Sequence, residues 1–195
     1  LRVFDSGIFV KGPEAKALER EICQFTGADA CVTVNSGSTA LMLVYAYLQQ
    51  SHKETLRILT TPATYVATAN VAKFLGQEVS FADIDIDSYC LSPFSVRDVK
   101  EPFDVISLVH LYGNAAETDM IQKLHPDATI VEDGAQAFGT RVNGKHIGTT
   151  SFGCFSMFPT KNLSCAGDGG FILCPKDAYE TLVRLRDNGR YFGME

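Results

Sequence analysis

The feature that most constrains this chain of 195 residues is a regular exchange between short, unbroken apolar runs and longer amphipathic ones. The short runs cover residues 30–34, 56–60, 78–82, 104–110, 128–131, 152–155 and 171–174. They are rich in Val, Ile and Leu and hardly alternate with polar residues, the pattern of strands buried on both faces. The longer segments, 12–27, 40–50, 65–75, 117–124 and 177–186, read as helices. In the first of them Ala15, Leu18, Ile22 and Phe25 fall on one face. Pro13 sits in its first turn, where a missing N–H costs nothing, and Gly27 closes it. Strands of this kind alternating with helices predict an α/β fold: a three-layer, mostly parallel sheet with helices on both faces. Residues 1–7 read as the last turn of a helix stopped by Gly7, 83–87 as leading into a loop that runs on to the strand at 104, and 140–147 as a hairpin about Asn143-Gly144. Residues 190–195 show no clear element. With no initiator Met, the chain reads as cut at both ends, and its length suits one domain.

Composition narrows the function classes. A net charge of -6 with no basic stripe argues against a nucleic-acid partner. No segment is apolar for long enough to span a bilayer, and no signal peptide opens the chain. The six cysteines form no C-x-x-C pair and several sit in apolar runs, so they read as reduced and the protein as cytoplasmic. Four histidines lack metal-ligand spacing, and no metal is expected.

In a parallel sheet the ligand crevice lies at the carboxyl ends of the strands. The residues that follow predicted strand ends are therefore the candidates: Ser36 to Thr39, Tyr65, His110, Asp133 and Lys161. Ser36-Gly37-Ser38-Thr39 opens a helix, and its N–H groups and hydroxyls suit either a phosphate or a simple cap by Ser36 or Ser38. No G-x-x-x-x-G-K-[ST] and no strand-linked G-x-G-x-x-G is present, so nucleotide and dinucleotide loops have no support. Asp133 could hold magnesium, pair with a protonated ring nitrogen, or cap the next turn. Tyr65 could stack on a planar cofactor or pack in the core. His110 could face the crevice or serve as a hydrogen-bonded structural residue. Lys161 follows an apolar strand and is flanked by Phe158 and Pro159, a setting in which a lysine can be partly desolvated and act as a nucleophile. Together these residues answer the needs of pyridoxal 5′-phosphate: a phosphate cradle, a ring stacker, an acid for the ring nitrogen and a Schiff-base lysine.

Several segments carry a resemblance. They include Asn35-Ser36-Gly37-Ser38-Thr39-Ala40-Leu41, Thr61-Pro62-Ala63-Thr64-Tyr65, Val109-His110-Leu111-Tyr112-Gly113, Glu132-Asp133-Gly134-Ala135-Gln136 and Phe155-Ser156-Met157-Phe158-Pro159-Thr160-Lys161-Asn162. In order and spacing the chain resembles the DegT/DnrJ/EryC1/StrS sugar aminotransferases, which have the large domain of the aspartate aminotransferase (fold type I) architecture. The resemblance implies that Lys161 holds the cofactor and then shuttles protons, and that Asp133 pairs with the ring nitrogen. It implies that Gln136 lies near the phenolic oxygen, that Tyr65 stacks, and that Gly37, Ser38, Thr39 and Ser156 hold the phosphate. Ser38 stands where Thr is usual, and Gly134 where Ala is common, a change expected to be mild.

The implied reaction moves an amino group from glutamate to a keto group of a nucleotide-linked sugar, in a homodimer. Family members are longer. On this resemblance residues 1–195 are the cofactor-binding large domain without the C-terminal small domain, which shapes the substrate site and lends an Asn to the phosphate across the dimer. The alternatives are a non-catalytic or regulatory fragment that binds the cofactor, and a sugar dehydratase relative. Dehydratases often carry His at the lysine position, which Lys161 argues against.

Overall fold

The apolar runs become the strands of one sheet. The computed structural model describes residues 1–52 and 55–189, so residues 190–195, read above as lacking an element, lie outside the described residues. In chain order the elements are α1 (Arg2–Ser6), α2 (Pro13–Thr26), β1 (Ala30–Val34), α3 (Gly37–Gln50), β2 (Arg57–Thr60), α4 (Ala67–Phe74), β3 (Glu78–Phe81), α5 (Pro93–Asp98) and β4 (Val105–Val109). They continue with α6 (Thr118–Leu124), β5 (Thr129–Asp133), β6 (Arg141–Val142), β7 (Lys145–His146), β8 (Phe152–Ser156), β9 (Gly170–Cys174) and α7 (Lys176–Arg186).

Seven strands pair in the order β1-β9-β8-β5-β4-β2-β3. The pairings β2·β3, β2·β4, β4·β5 and β5·β8 are parallel, whereas β9 is antiparallel to both β8 and β1. β9 alone is reversed, and β1, two antiparallel steps from β8, runs with the rest. The reversal follows from the connection: residues 157–169 turn straight back from β8 to β9 with no crossover helix between them. The fold is thus the expected mostly parallel α/β sheet, and its one reversed strand is flanked by the loop that carries Lys161.

Both faces of the sheet are covered. Val44, Tyr45 and Leu48 of α3, Ala72 of α4 and Leu182 of α7 pack on Val32, Ile58, Val105, Val131 and Ile172. On the other face, Val96 of α5 and Ile121 of α6 meet Leu59, Ile106, Leu108 and Ile130, and Ile22 of α2 meets Cys31, Phe155, Phe171 and Leu173. Each such fully buried aliphatic side chain contributes about 1.5–3 kcal/mol.

The expected boundaries hold with physical exceptions. α3 starts at Gly37 because the Ser36 hydroxyl accepts the Thr39 N–H and caps the helix. α4 starts at Ala67, so Tyr65 stays outside it. Phe25, expected on the buried face of α2, is 52% exposed and meets Phe138 at the margin of the core, with ring centroids 5.3 Å apart and planes tilted by 32°. Helix α5, with Pro93 in its first turn, lies where only loop was expected. The hairpin at Asn143-Gly144 forms with φ of 50° and 81° at its two turn residues. All six cysteines are free. Among the described residues no helix is long and apolar enough to cross a membrane.

Gly134 follows β5, and a Cβ there would overlap the Phe155 ring. That ring is fully buried and stacks on Phe171 at 4.8 Å, so it has nowhere to retreat. Here the glycine makes room for a large aromatic. Gly134→Ala should cost about 1–3 kcal/mol of stability as overpacking, or roughly 2–12 °C in Tm for a domain of this size. Adding Phe155→Leu should recover part of the loss. Thermal unfolding of the two variants checks this.

Candidate active site

The carboxyl ends of β1, β4, β5 and β8 and the loop after β2 enclose a cavity of about 420 Å³. Ser36, Gly37 and Ser38 line it from the head of α3, and Thr64 and Tyr65 from the loop after β2. Val109 and His110 close β4, Asp133 and Gln136 follow from β5, and Ser156, Lys161 and Asp168 come from the end of β8 and the loop beyond it. Every candidate from the sequence except Thr39 lines this one space. Thr39 turns its hydroxyl to Ser36 Oγ at 3.0 Å and is not among the lining residues.

Asp133 is the tip of β5 and only 7% exposed. Its Oδ2 accepts the Thr68 hydroxyl at 2.8 Å and its Oδ1 the Ala135 N–H at 3.2 Å. Burial pushes its carboxyl above the ordinary range, while Thr68, Ala135, His110 and Lys161 pull it back. Lys161 is half-buried and lines the same cavity as Asp133. Its backbone N–H closes a turn onto the Phe158 carbonyl, and the Ser156 hydroxyl accepts the Phe158 N–H.

The head of α3 is pressed against the end of β8. A Cβ on Gly37 would stand 2.9 Å from the Ser156 Cβ, so only glycine lets the two approach. Ser36 caps Thr39 N–H, which leaves the N–H groups of Gly37 and Ser38 as the helix-start donors at the cavity. The cap and phosphate readings of this turn are thereby divided among neighbours: Ser36 is the cap, and Gly37 and Ser38 face the open space. Tyr65 stands at the rim, 69% exposed. The Gln136 Oε1 accepts the Tyr112 N–H at 3.3 Å, which leaves its amide N–H₂ as a donor. Tyr112 has φ of 55°, a left-handed backbone that a bulky residue rarely adopts.

Both readings of His110 hold. It lines the cavity yet is wholly buried; its Nδ1 accepts the Ala116 N–H, so Nε2 carries the proton and donates to Glu132 at 2.8 Å. Burial would raise the Glu132 carboxyl, but the hydrogen bond from His110, with those from the Gly148 and Thr150 N–H groups, outweighs it, and Glu132 stays below its ordinary range. Glu132, Thr68 and Asp168 were not candidates from the sequence. For Thr68 a signal existed: a threonine four residues after Thr64 in an otherwise Ala- and Val-rich helix suggests paired hydroxyls.

A family model for the DegT/DnrJ/EryC1/StrS aminotransferase family matches residues 1–194. The chain belongs to this family. It is 34% identical, over 94% of its length, to a UDP-2-acetamido-2-deoxy-3-oxo-D-glucuronate aminotransferase of Pseudomonas aeruginosa, and covers 52% of that protein. It is similar throughout to the crystal structure of DesV of S. venezuelae in complex with a ketimine intermediate, with TM-score 0.93, 33% identity and 53% of that chain covered. It is also similar to an E. coli GDP-4-keto-6-deoxy-D-mannose-3-dehydratase with bound hydrated PLP, with TM-score 0.87, 29% identity and 93% and 49% of the two chains covered. The chain spans about half the length of these relatives.

Because the Asp133 carboxyl is raised, ionising it costs stability at every pH above the unfolded-state value, in full once pH exceeds the folded one. Asp133→Asn should therefore raise the Tm of the cofactor-free protein at neutral pH. The gain should shrink and vanish as pH falls below the ordinary aspartate range. Tm measured against pH for the two proteins is the check.

Proposed function

We propose that the protein is a pyridoxal phosphate-dependent aminotransferase that moves an amino group from glutamate to a keto group of a nucleotide-linked sugar. The observation that carries the reading is the meeting of one lysine, Lys161, and one buried, charge-poor carboxylate, Asp133, in a cavity headed by a helix N-terminus. The residues fit the cofactor. A protonated ring nitrogen would balance the buried Asp133 charge, and the Gly37 and Ser38 N–H groups with the Ser156 hydroxyl would take the phosphate. Tyr65 would cover the ring face, and the Gln136 amide N–H₂ would donate to the phenolic oxygen.

When bound, pyridoxal phosphate supplies an electron sink for the pair left by a broken Cα–H bond. The protein supplies the rest. Lys161 would hold the cofactor through its Nζ and, once displaced by the incoming amine, would carry the proton lost from the donor Cα within that half-reaction; the acceptor half would run the same transfers in reverse. Asp133, which accepts from Thr68 and Ala135, would hold a proton on the ring nitrogen. Residues 1–195 act as the large cofactor-binding domain of a cytoplasmic homodimer, and the names of the relatives support nucleotide-linked sugars as the acceptor class.

Loaded with pyridoxal phosphate, the protein should form a borohydride-reducible adduct and release 2-oxoglutarate from glutamate. Lys161→Ala should lose the adduct and slow proton transfer by about 10²–10⁴-fold. An adduct of unchanged yield in that variant would refute the assignment.

A further inference from the structure

We infer that Thr68 is a positioning residue for the cofactor: its hydroxyl aims the Asp133 carboxylate and binds the segment carrying Tyr65 to it. The inference rests on the pyridoxal phosphate reading of the site. Thr68 lies in α4 and is 1% exposed. Its Oγ1 is 2.8 Å from Asp133 Oδ2, 3.2 Å from the Tyr65 carbonyl oxygen and 3.2 Å from Thr64 Oγ1.

A threonine hydroxyl has one proton, so these three partners cannot all be served in one direction. The shortest link, to a carboxylate, takes the proton. Thr64 then donates to Thr68, giving a one-way chain from Thr64 Oγ1 through Thr68 Oγ1 to Asp133 Oδ2. Such a chain favours the charged carboxylate, because each donor polarises the next. The Tyr65 carbonyl is met instead by the Thr68 N–H at 3.2 Å. One residue therefore fixes the segment that carries the stacking ring and the acid that faces the ring nitrogen. It is itself held from behind: the Tyr45 hydroxyl reaches the Thr68 carbonyl at 3.4 Å and Ser107 Oγ at 2.9 Å.

The other ionisable groups that act on Asp133 or feel it are His110 at the end of β4, Lys161 beyond β8, Tyr45 in α3 and Cys154 in β8. Tyr45 and Cys154 are fully buried and both are pushed up by burial, so they remain neutral through the carboxylate range. His110 gives its Nε2 proton to Glu132 at 2.8 Å. Thr68 is thus the side-chain donor to Asp133 from the helix layer.

The test follows the Asp133 carboxyl carbon by NMR through a pH titration of the cofactor-free protein, and pyridoxal phosphate affinity separately. Thr68→Val keeps the shape and removes the donor. It should raise the Asp133 midpoint by about one unit or more, because the hydrogen bond favoured the ionised form, and should weaken pyridoxal phosphate about tenfold. Thr68→Ser should leave both near the wild-type values. Thr64→Val, at a half-buried position, removes the first donor of the chain and should give a smaller upward shift, which covers the case of a Thr68→Val protein that does not fold. An Asp133 midpoint unmoved in both valine variants overturns the proposal. A wild-type protein that binds no pyridoxal phosphate defeats the cofactor reading instead, and the Asp133 midpoint still decides the role of Thr68.

Discussion

A carboxylate that must stay charged while shut away from water is the constraint behind the site. Asp133 sits at the tip of a central strand with neighbours on both sides, so hydration cannot support it. The cost of its charge is offset in part by two short-range donors, Thr68 and Ala135, and by longer-range pull from His110 and Lys161. Ala135 lies two residues on in the same turn, whereas Thr68, His110 and Lys161 come from three other parts of the chain that the fold brings together. The neighbouring Glu132 faces the same cost and meets it differently, through the Nε2–H of His110. Consecutive residues of one strand point to opposite sides, so one strand end supplies two acids shifted in opposite directions, Asp133 up and Glu132 down.

Close packing sets the tolerances around that acid. Phe155 fills the space beneath the turn after β5, and Gly134, Gly148 and Gly153 each leave room for its ring. Across the sheet, Gly37 lets the head of α3 touch Ser156. The glycines of the signature segments are therefore of two kinds. Gly37 brings backbone donors to the cavity, and Gly134 clears space for the core under it.

Much of this was legible in the chain before any coordinates. Strand ends are easy to locate when strands are unbroken apolar runs, and a parallel sheet gathers those ends on one edge. Ser36 to Ser38, Tyr65, His110, Asp133 and Lys161 could therefore be grouped without knowing the strand order. What stayed hidden depended on long-range contacts. The run from Phe171 to Cys174 looks alike in either direction, so its reversal could not be read. Thr39 differs from its neighbours only in where its side chain turns once Ser36 has capped the helix. Thr68 gains its meaning when α4 comes to rest beside β5, a residue separation of 65 in sequence. The demand for glycine at position 134 arises from a ring contributed by a different strand, which no local pattern reveals.

The reversed strand has one further effect. Lys161 rides on a span whose two ends are clamped side by side, with the Met157 N–H bonded to the Gly169 carbonyl at 2.7 Å across its neck. The connections from β1 to β2, β2 to β3, β3 to β4 and β4 to β5 pass through a helix, and that from β5 to β8 through the β6–β7 hairpin, so each holds an element that can take up a change in length. This one works as a fixed-length tether: a residue added or removed between 157 and 169 would change how far the amine extends, so tolerance to insertion should be low in a loop with neither helix nor hairpin to absorb it.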